Sequence, residues 1–597
     1  MDCSLPTPAG LPPLRYRFAG FHLEADGTLL HGEKPMRLPP EELAVLRVLL
    51  ARDGNVVSPL ELRRTVWGEE RVSRDIVSRC VASLRARLEP AECIQSVYKR
   101  GYRLAVAVQK DRRRPAGELP RLAILPFTTG YSVPEYLGPA IAEQTLTQLS
   151  SEHSGIVTVS AIDSAFTLAR HGLSAPEIGK ALDAELVLAG RVDAMPKSRR
   201  LRVEMLRVED GEQLWLEDLF AGCGRMGELS RELVNRLICR LQYGGIAISA
   251  VATPRGERET LPQHDEAHEL YLRAHHDWQT LERHRMQDAM GRLQQAIELD
   301  PTLIAARVDL AHLCVIQAQF GFVAPLVAAR MVRRAAQHLP DSAGSADALL
   351  PALGWIEFSV DRNLPAALDA FARSAHLPHD PLITRARSWF LLSRHRFEEA
   401  IAVLRDAIRL DPYSAWLPAR LAWALHLNGE REASVAQARK ALSQCPEDDH
   451  SHLYGAMILA YNDEAVKAVE VAEALVARAP HLDLAMAVHA YALARAGLIE
   501  EALTLLERMQ WLSHERFMLN AFNAAVHAAL GEIDGALDEL RIASENRCPW
   551  FFQMLADPRL QRIKESPKYD ALLGELTAME ADAEKAEPGW AAAAGQD

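Results

Sequence analysis

The chain is 597 residues long, 49% apolar and 25% charged, too long for one hydrophobic core, and its composition excludes a collagen, a coiled coil or a wholly disordered chain. Its net charge is −13, yet Leu14 to Arg114 holds 20 Lys and Arg against 13 Asp and Glu, setting a +7 segment against a remainder of −20. Such asymmetry suggests a nucleic-acid-binding module joined to an acidic body.

Residues 1–13 are Pro-rich and expected to be disordered. From Leu14, the apolar Tyr16, Phe18, Phe21 and Leu23, then Leu29 and Leu30, flank an Asp26-Gly27 turn and predict short antiparallel strands. Pro39-Pro40-Glu41-Glu42 suits a helix start, and Leu43, Leu46, Val48, Leu49 and Leu50 supply its apolar stripe. A second helix is capped by Ser58-Pro59 and stopped by Gly68, and Ser73 can cap a third. In that third helix Val77, Val81, Leu84 and Leu88 share one face, while Asp75, Ser78, Arg79, Ala82 and Ser83 share the other. An outward arginine among small hydroxyl side chains suits base edges in a major groove, with Arg74, Arg85 and Arg87 placed for flanking phosphates. Ile94 to Leu104 reads as a hairpin with a basic, aromatic tip at Tyr98, Lys99 and Arg100.

The runs LPPEELAVLRVLL from Leu38 and VSPLELRRTVW from Val57, the apolar positions from Val77 to Leu88, and Ile94, Ser96, Val97, Gly101, Tyr102, Arg103 and Leu104 together resemble the OmpR-type winged helix-turn-helix over about 90 residues. The resemblance implies a DNA-binding domain over 14–108 whose third helix enters the major groove of promoter DNA. Ser78, Arg79 and Ser83 are then expected at bases, and Arg74, Arg85, Arg87, Lys99 and Arg100 at the backbone. It also implies that the loop before this helix, Trp67, Gly68, Glu69, Glu70 and Arg71, touches RNA polymerase. With only about 13 residues ahead of the module, no receiver domain and no control by aspartyl phosphorylation is expected.

After a polar linker at 109–119 the chain alternates strand and helix: Leu122 to Phe127, Tyr136 to Leu149, Ile156 to Ser160, Ala175 to Leu182 and Glu185 to Gly190. A hairpin of Leu201 to Val208 and Gln213 to Phe220 follows, then a helix from about Met226 to Leu241. No nucleotide-cradling glycine loop and no nucleophile elbow is present, so no enzyme and no cofactor is expected. Leu125-Pro126-Phe127, Leu188 to Val192, Leu201-Arg202-Val203 and Leu214-Trp215 resemble the TolB-like domain of bacterial regulators, which places an α/β domain at 120–246.

Past a linker at 247–264 a period of 34 residues sets in. Ala366, Ala400, Ser434, Ala468, Ala502 and Ala536 recur at that spacing; Gly354, Ser388, Ala422, Ala456, Ala490 and Ala524 precede them by twelve. Pro378, Pro412, Pro446 and Pro480 follow by twelve, drifting to His514 and Cys548, and Gly429, Gly497 and Gly531 mark turns in phase. This is the tetratricopeptide pattern, with about eight units over 265–577 and an insertion near Phe320 to Ser345. The expected surface is a concave groove for a protein or peptide partner, with Trp389, Arg394, Trp423, His426 and Tyr461 as candidate lining. Residues 578–597, rich in Ala and Glu, are expected to be disordered.

The expected fold class is multidomain: an α+β winged helix-turn-helix, an α/β middle domain and an all-α tetratricopeptide-repeat superhelix. His264 with His268 lacks the Glu that a zinc protease needs after its first His, Asp265 standing there, and the Glu447-to-His452 stretch resembles an acidic metal loop but falls in phase at a turn between units, where a solvated cap is expected. Eight cysteines without a C-x-x-C pair, no leader pattern and no 18-residue apolar stretch lead to the expectation of a cytoplasmic protein with no membrane segment. The module order resembles the HilA-type regulators and implies activation of virulence or secretion genes. The reading from another class is a repeat scaffold tethered to DNA or polymerase without sequence selectivity. Whether the chain binds as a homodimer is left open.

Overall fold

The computed structural model describes residues 15–23, 28–31, 34–36, 38–52, 55–67, 75–88, 93–97, 100–106, 108–111, 119–153, 156–196, 198–222, 226–243, 265–278, 283–337, 346–375, 377 and 381–586. They divide into two compact units, residues 1–119 and 120–597.

In the first unit β1 (Arg15–Phe18), β2 (Phe21–Leu23), β3 (Leu29–His31) and β4 (Lys34–Met36) form an antiparallel meander. Three helices follow, α1 (Pro40–Ala51), α2 (Pro59–Trp67) and α3 (Ile76–Arg87), then the hairpin β5 (Ile94–Val97) and β6 (Gly101–Leu104). The chain closes with β7 (Val108–Asp111), which returns to pair antiparallel with β1, Arg15 facing Asp111 and Phe18 facing Val108. The polar stretch read as linker thus begins with a strand of the sheet, since an edge strand needs backbone partners more than apolar side chains. The core joins Tyr16, Phe18 and Phe21 of the sheet to Leu46 and Leu49 of α1, Leu62 of α2, and Val77, Val81 and Leu84 of α3.

The hairpin is tied to the start of α2 by a two-bond bridge: Val57 N–H donates to Tyr102 O at 2.8 Å and Tyr102 N–H to Val57 O at 3.0 Å. Gly101 makes this approach possible. Its φ is +141°, and a Cβ there would meet Val57 O at 2.0 Å. Gly101→Ala is expected to destabilise the first unit by on the order of 3 kcal/mol, measured in the full chain as lost hydrogen-exchange protection of the Tyr102 and Val57 amides.

The second unit opens with a mixed sheet in the order β10-β8-β11-β12-β13. Its elements are β8 (Arg121–Ile124), β9 (Thr128–Thr129), α4 (Leu137–Glu152), β10 (Thr158–Val159), α5 (Ile162–Arg170), α6 (Ala175–Ala181), β11 (Leu186–Ala194), β12 (Ser198–Arg207), β13 (Gln213–Gly222) and α7 (Met226–Tyr243). The α4 and α7 side chains Ile141, Leu149, Leu233 and Leu237 pack on one face against Leu188, Val203 and Met205. On the other, Leu168 of α5 and Ile178 of α6 meet Val187 and Val208. The nine-residue α5 has no counterpart in the sequence reading.

Eight antiparallel helix pairs follow among the described residues: α8 (Asp265–Trp278) with α9 (Arg283–Leu299), α10 (Ile304–Gln319) with α11 (Pro325–Ala335), α12 (Leu350–Ser359) with α13 (Leu364–Arg373), α14 (Pro381–Ser393) with α15 (Phe397–Leu410), α16 (Trp416–Leu427) with α17 (Arg431–Gln444), α18 (Asp449–Tyr461) with α19 (Ala465–Arg478), α20 (Asp483–Ala496) with α21 (Ile499–Ser513), and α22 (Asn520–Leu530) with α23 (Ile533–Glu545). Ala400, Ser434, Ala468, Ala502 and Ala536 are wholly buried where paired helices cross, as are Ser388, Ala422, Ala456, Ala490 and Ala524. The turn inside successive units takes a left-handed residue in phase, with φ between 59° and 86° at His395, Gly429, Asp463, Gly497 and Gly531. Two of these five are not glycine, so the glycine signal under-reports the turn.

The α/β domain is seated on the array. His268 Nε2 lies 2.7 Å from the Gln144 amide, and His275 Nε2 lies 2.9 Å from a Glu143 oxygen while its Nδ1 bonds Asp309. Burial alone would lower the His275 pKa, but Asp309 and Glu143 hold it well above the usual imidazole value. At a second contact Ser164 donates to Asp411 and accepts from the Tyr413 N–H at 2.8 Å. Burial, with Asp411 and Glu143 nearby, pushes the neighbouring Asp163 carboxyl up to about 7. A raised folded value means that its contribution to stability is whole below the unfolded carboxylate pKa and is lost as pH rises through about 7. Asp163→Asn is therefore expected to match wild type in thermal midpoint near pH 4 and to exceed it increasingly up to pH 8.

Candidate nucleic-acid interface

The α3 helix divides as its period requires. Val77, Cys80, Val81 and Leu84 are buried, and Asp75, Ser78, Arg79, Ala82 and Ala86 are exposed along the opposite ridge. The Arg79 guanidinium makes no hydrogen bond or ion pair among the described residues, its main-chain N–H donating to Asp75 O at 3.0 Å, and the Ser78 hydroxyl donates to Asp75 O at 2.9 Å while keeping its lone pairs for an incoming donor. Arg100 is exposed in the hairpin turn, where its N–H closes on Val97 O at 2.9 Å.

Three other predicted contacts are drawn into the protein. Ser83 donates to Glu42 Oε1 at 2.7 Å, and Arg87 Nε lies 3.3 Å from Glu42 Oε2, because α1 crosses α3 at this turn and presents a nearly buried carboxylate to it. Arg85 donates from Nε to Ile94 O and from Nη2 to Ser96 Oγ, each at 2.9 Å, fastening β5 to the end of α3. The Ser83 hydroxyl proton is thus engaged inward, at the α1–α3 contact. Arg85 and Arg87 act first as braces that orient α3. The residue that sequence reasoning missed is Glu42, which looked like a first-turn acid of α1; its signal lay in the next position of the helix stripe, Val45 and Leu46 being core. Arg74, Lys99, Glu69, Glu70 and Arg71, and the Trp67 side chain, lie outside the described residues.

The repeat groove departs furthest from expectation. Trp389, Trp423 and His426 do lie on inner helices, but all are buried under the chain's own carboxyl-terminal segment, which continues through α24 (Phe551–Ala556), a 3-10 turn at Pro558–Ile563 and α25 (Pro567–Ala586). Trp550 packs against Trp389, Phe522 and Trp423 with ring centroids 4.7, 4.8 and 6.1 Å away and donates from Nε1 to Gln319 O at 2.7 Å. Gln553 accepts from Trp423 Nε1 at 2.9 Å, and Asp557 lies 3.2 Å from His426 Nε2. Glu580 accepts from Arg394 Nε and Nη2, each at 2.7 Å. Tyr461 stays half-buried beside His426. The groove lining is thus corrected from open to filled. The stretch from 578 that was expected to be disordered is helical as far as Ala586, and the rest of it lies outside the described residues.

The Glu447-to-His452 stretch is also no solvated turn. Asp448 caps α18 by accepting from Ser451 N at 2.7 Å, and His450 and His452 are buried.

Comparison with known proteins bears on the first unit and on the whole. Residues 33–104 match the family model described as "Transcriptional regulatory protein, C terminal". The chain is 24% identical to the Transcriptional regulator HilA of Salmonella typhimurium over 450 residues, 73% of this chain and 77% of that protein, and equally so to the protein of that name in Salmonella typhi. Among solved structures, the APC/C hetero-tetramer Cut9-Hcn1 aligns over 60% of this chain and 66% of its own at 15% identity and a TM-score of 0.37. TolB from Acinetobacter baumannii aligns over 21% and 29% at 16% identity and a TM-score of 0.17. The first unit is a winged helix-turn-helix of the OmpR type, and the helical array is a tetratricopeptide superhelix by its own period and pairing. No helix among the described residues is long and apolar enough to cross a membrane.

Proposed function

We propose that this chain is a non-catalytic transcription regulator that reads promoter DNA with α3 seated in the major groove. The observation that carries the reading is the Arg79 ridge: an exposed guanidinium with no hydrogen-bond or ion-pair partner among the described residues, on a helix whose reverse face is core and whose C-terminal half is braced by Glu42 and Arg85. Ser78 and Arg79 read bases, and Arg100, with Arg74 and Lys99, meets phosphates. The stretch from Trp67 to Arg71 meets RNA polymerase. The likeness to the Transcriptional regulator HilA supports regulation of transcription; our reading adds that the chain is a cytoplasmic activator of virulence or secretion genes. A regulatory protein partner that uses the repeat groove has to displace the segment from Cys548 to Ala586 first, since Trp550 and Gln553 cover Trp389 and Trp423.

Selection of bound duplexes from a random pool with the full chain tests this. The expected result is a defined sequence, whose half-site spacing reports whether two copies bind together. Equal enrichment of all sequences, with uniform weak binding in gel shifts, would sink the proposal in favour of a scaffold merely tethered to DNA.

A further inference from the structure

Arg420, on α16, is 2% exposed, and its Nε and Nη1 meet no acceptor among the described residues. Its guanidinium carbon instead lies 4.8 Å from the Trp389 ring centre and 5.8 Å from that of Tyr454. One repeat earlier, on α14, Arg385 donates from Nη1 to His450 Nε2 at 3.3 Å and stands 4.7 Å over the Trp416 ring. The two cations feel each other: burial, then Arg420, brings Arg385 down to about 10, and burial lowers Arg420 as well. Other donors here also go unmet. Among the described residues Trp389 Nε1 has no hydrogen-bond partner, nor does the side-chain amide of Gln319, 1% exposed, whose main-chain carbonyl receives Trp550.

The carboxylates within electrostatic reach are already engaged. Asp448 accepts from Ser451 and His450, Asp411 accepts from Ser164, and Asp163 sits beside Asp411 at the α/β contact. Burial keeps His450 toward its neutral form, so it adds an acceptor for Arg385 but no negative charge. The cluster therefore holds two guanidiniums and an indole N–H, with the nearby carboxylates each engaged elsewhere. Leaving a buried charged donor unmet is among the costliest arrangements a protein interior can adopt.

We propose that this cluster, between the inner helices α14, α16 and α18 and the Trp550 ring, binds a small oxyanion, a phosphate or a carboxylate group, through Arg420 and Arg385 with the Trp389 indole N–H. Trp550 packs on Trp389 and lies 6.1 Å from Tyr454, so the anion is enclosed when the carboxyl-terminal segment is seated and stabilises that seated state. The site is thus a ligand-operated latch on the filled groove, distinct from the DNA-reading surface.

The test is thermal unfolding of the full chain, followed by tryptophan fluorescence, in sodium phosphate, sodium succinate and sodium chloride at equal ionic strength. The expected result is a saturable rise in the midpoint with phosphate or with succinate that chloride does not produce; which of the two acts identifies the group. Arg420→Met should abolish the rise. Should that variant fail to fold, Trp389→Phe, which removes the N–H donor together with the five-membered ring but leaves an aromatic ring in the core, should raise the half-saturating concentration by about tenfold. Equal behaviour in all three salts, or a response retained by Arg420→Met or unshifted in Trp389→Phe, overturns the proposal.

Discussion

Replacing Trp550 with alanine is expected to destabilise the repeat array by about 3–5 kcal/mol, the range for truncating a large aromatic in a packed interior. The ring is 1% exposed and closes on Trp389, Trp423, Tyr454 and Phe522 at once, so its removal opens a void at the centre of the superhelix and orphans the Gln319 carbonyl. Trp511 supplies the control. It is 61% exposed on α21, and Trp511→Ala should move stability by about 0.5 kcal/mol or less. Urea unfolding of the full chain followed by helical circular dichroism compares the two; a Trp550→Ala cost no larger than that of Trp511→Ala would mean that the segment is not seated as described.

On a selected DNA site, Arg79→Ala is expected to lose about 10- to 100-fold in affinity, corresponding to one good base contact of about 1–3 kcal/mol, and to relax discrimination at a single base position. Arg100→Ala should instead weaken binding to all sequences alike and reduce the slope of log affinity against log salt by about 1. Binding isotherms at three salt concentrations, on the selected site and on a scrambled one, separate these outcomes. Uniform loss in Arg79→Ala would move the reading surface off α3. Because Ser83 is held by Glu42, Ser83→Ala is expected to act through the α1–α3 contact and to change affinity far less than Arg79→Ala.

The core face of α3 was legible in the sequence because four apolar residues on one stripe admit few other placements, and the array because small residues recurring at a fixed period sit, from Ser388 and Ala400 onward, at successive helix crossings. The fates of Ser83, Arg85 and Arg87 were not legible. Each lies on a polar face that the period assigns to solvent, and only the crossing of α1 and the return of β5 show that a carboxylate and a carbonyl reach them. The filled groove left one trace, the drift of the in-phase proline to His514 and Cys548, which signalled that the pattern was ending. It could not show the next thirty-odd residues folding back along the inner helices, since that contact joins positions more than 150 residues apart, such as Ser393 with Gln553. The short α5 escaped notice because Ser164, placed by its contact with Asp411 and Tyr413, looks like loop composition when read alone.

Pairing of β1 with β7 brings the entrance and the exit of the first unit to neighbouring strands, within about 5 Å of each other. A cassette whose two ends emerge side by side can be spliced by recombination onto an unrelated body without stretching either, and it asks nothing of its host except a tether. That geometry accounts physically for how one small reading head could be inherited separately from the much larger machinery it now travels with.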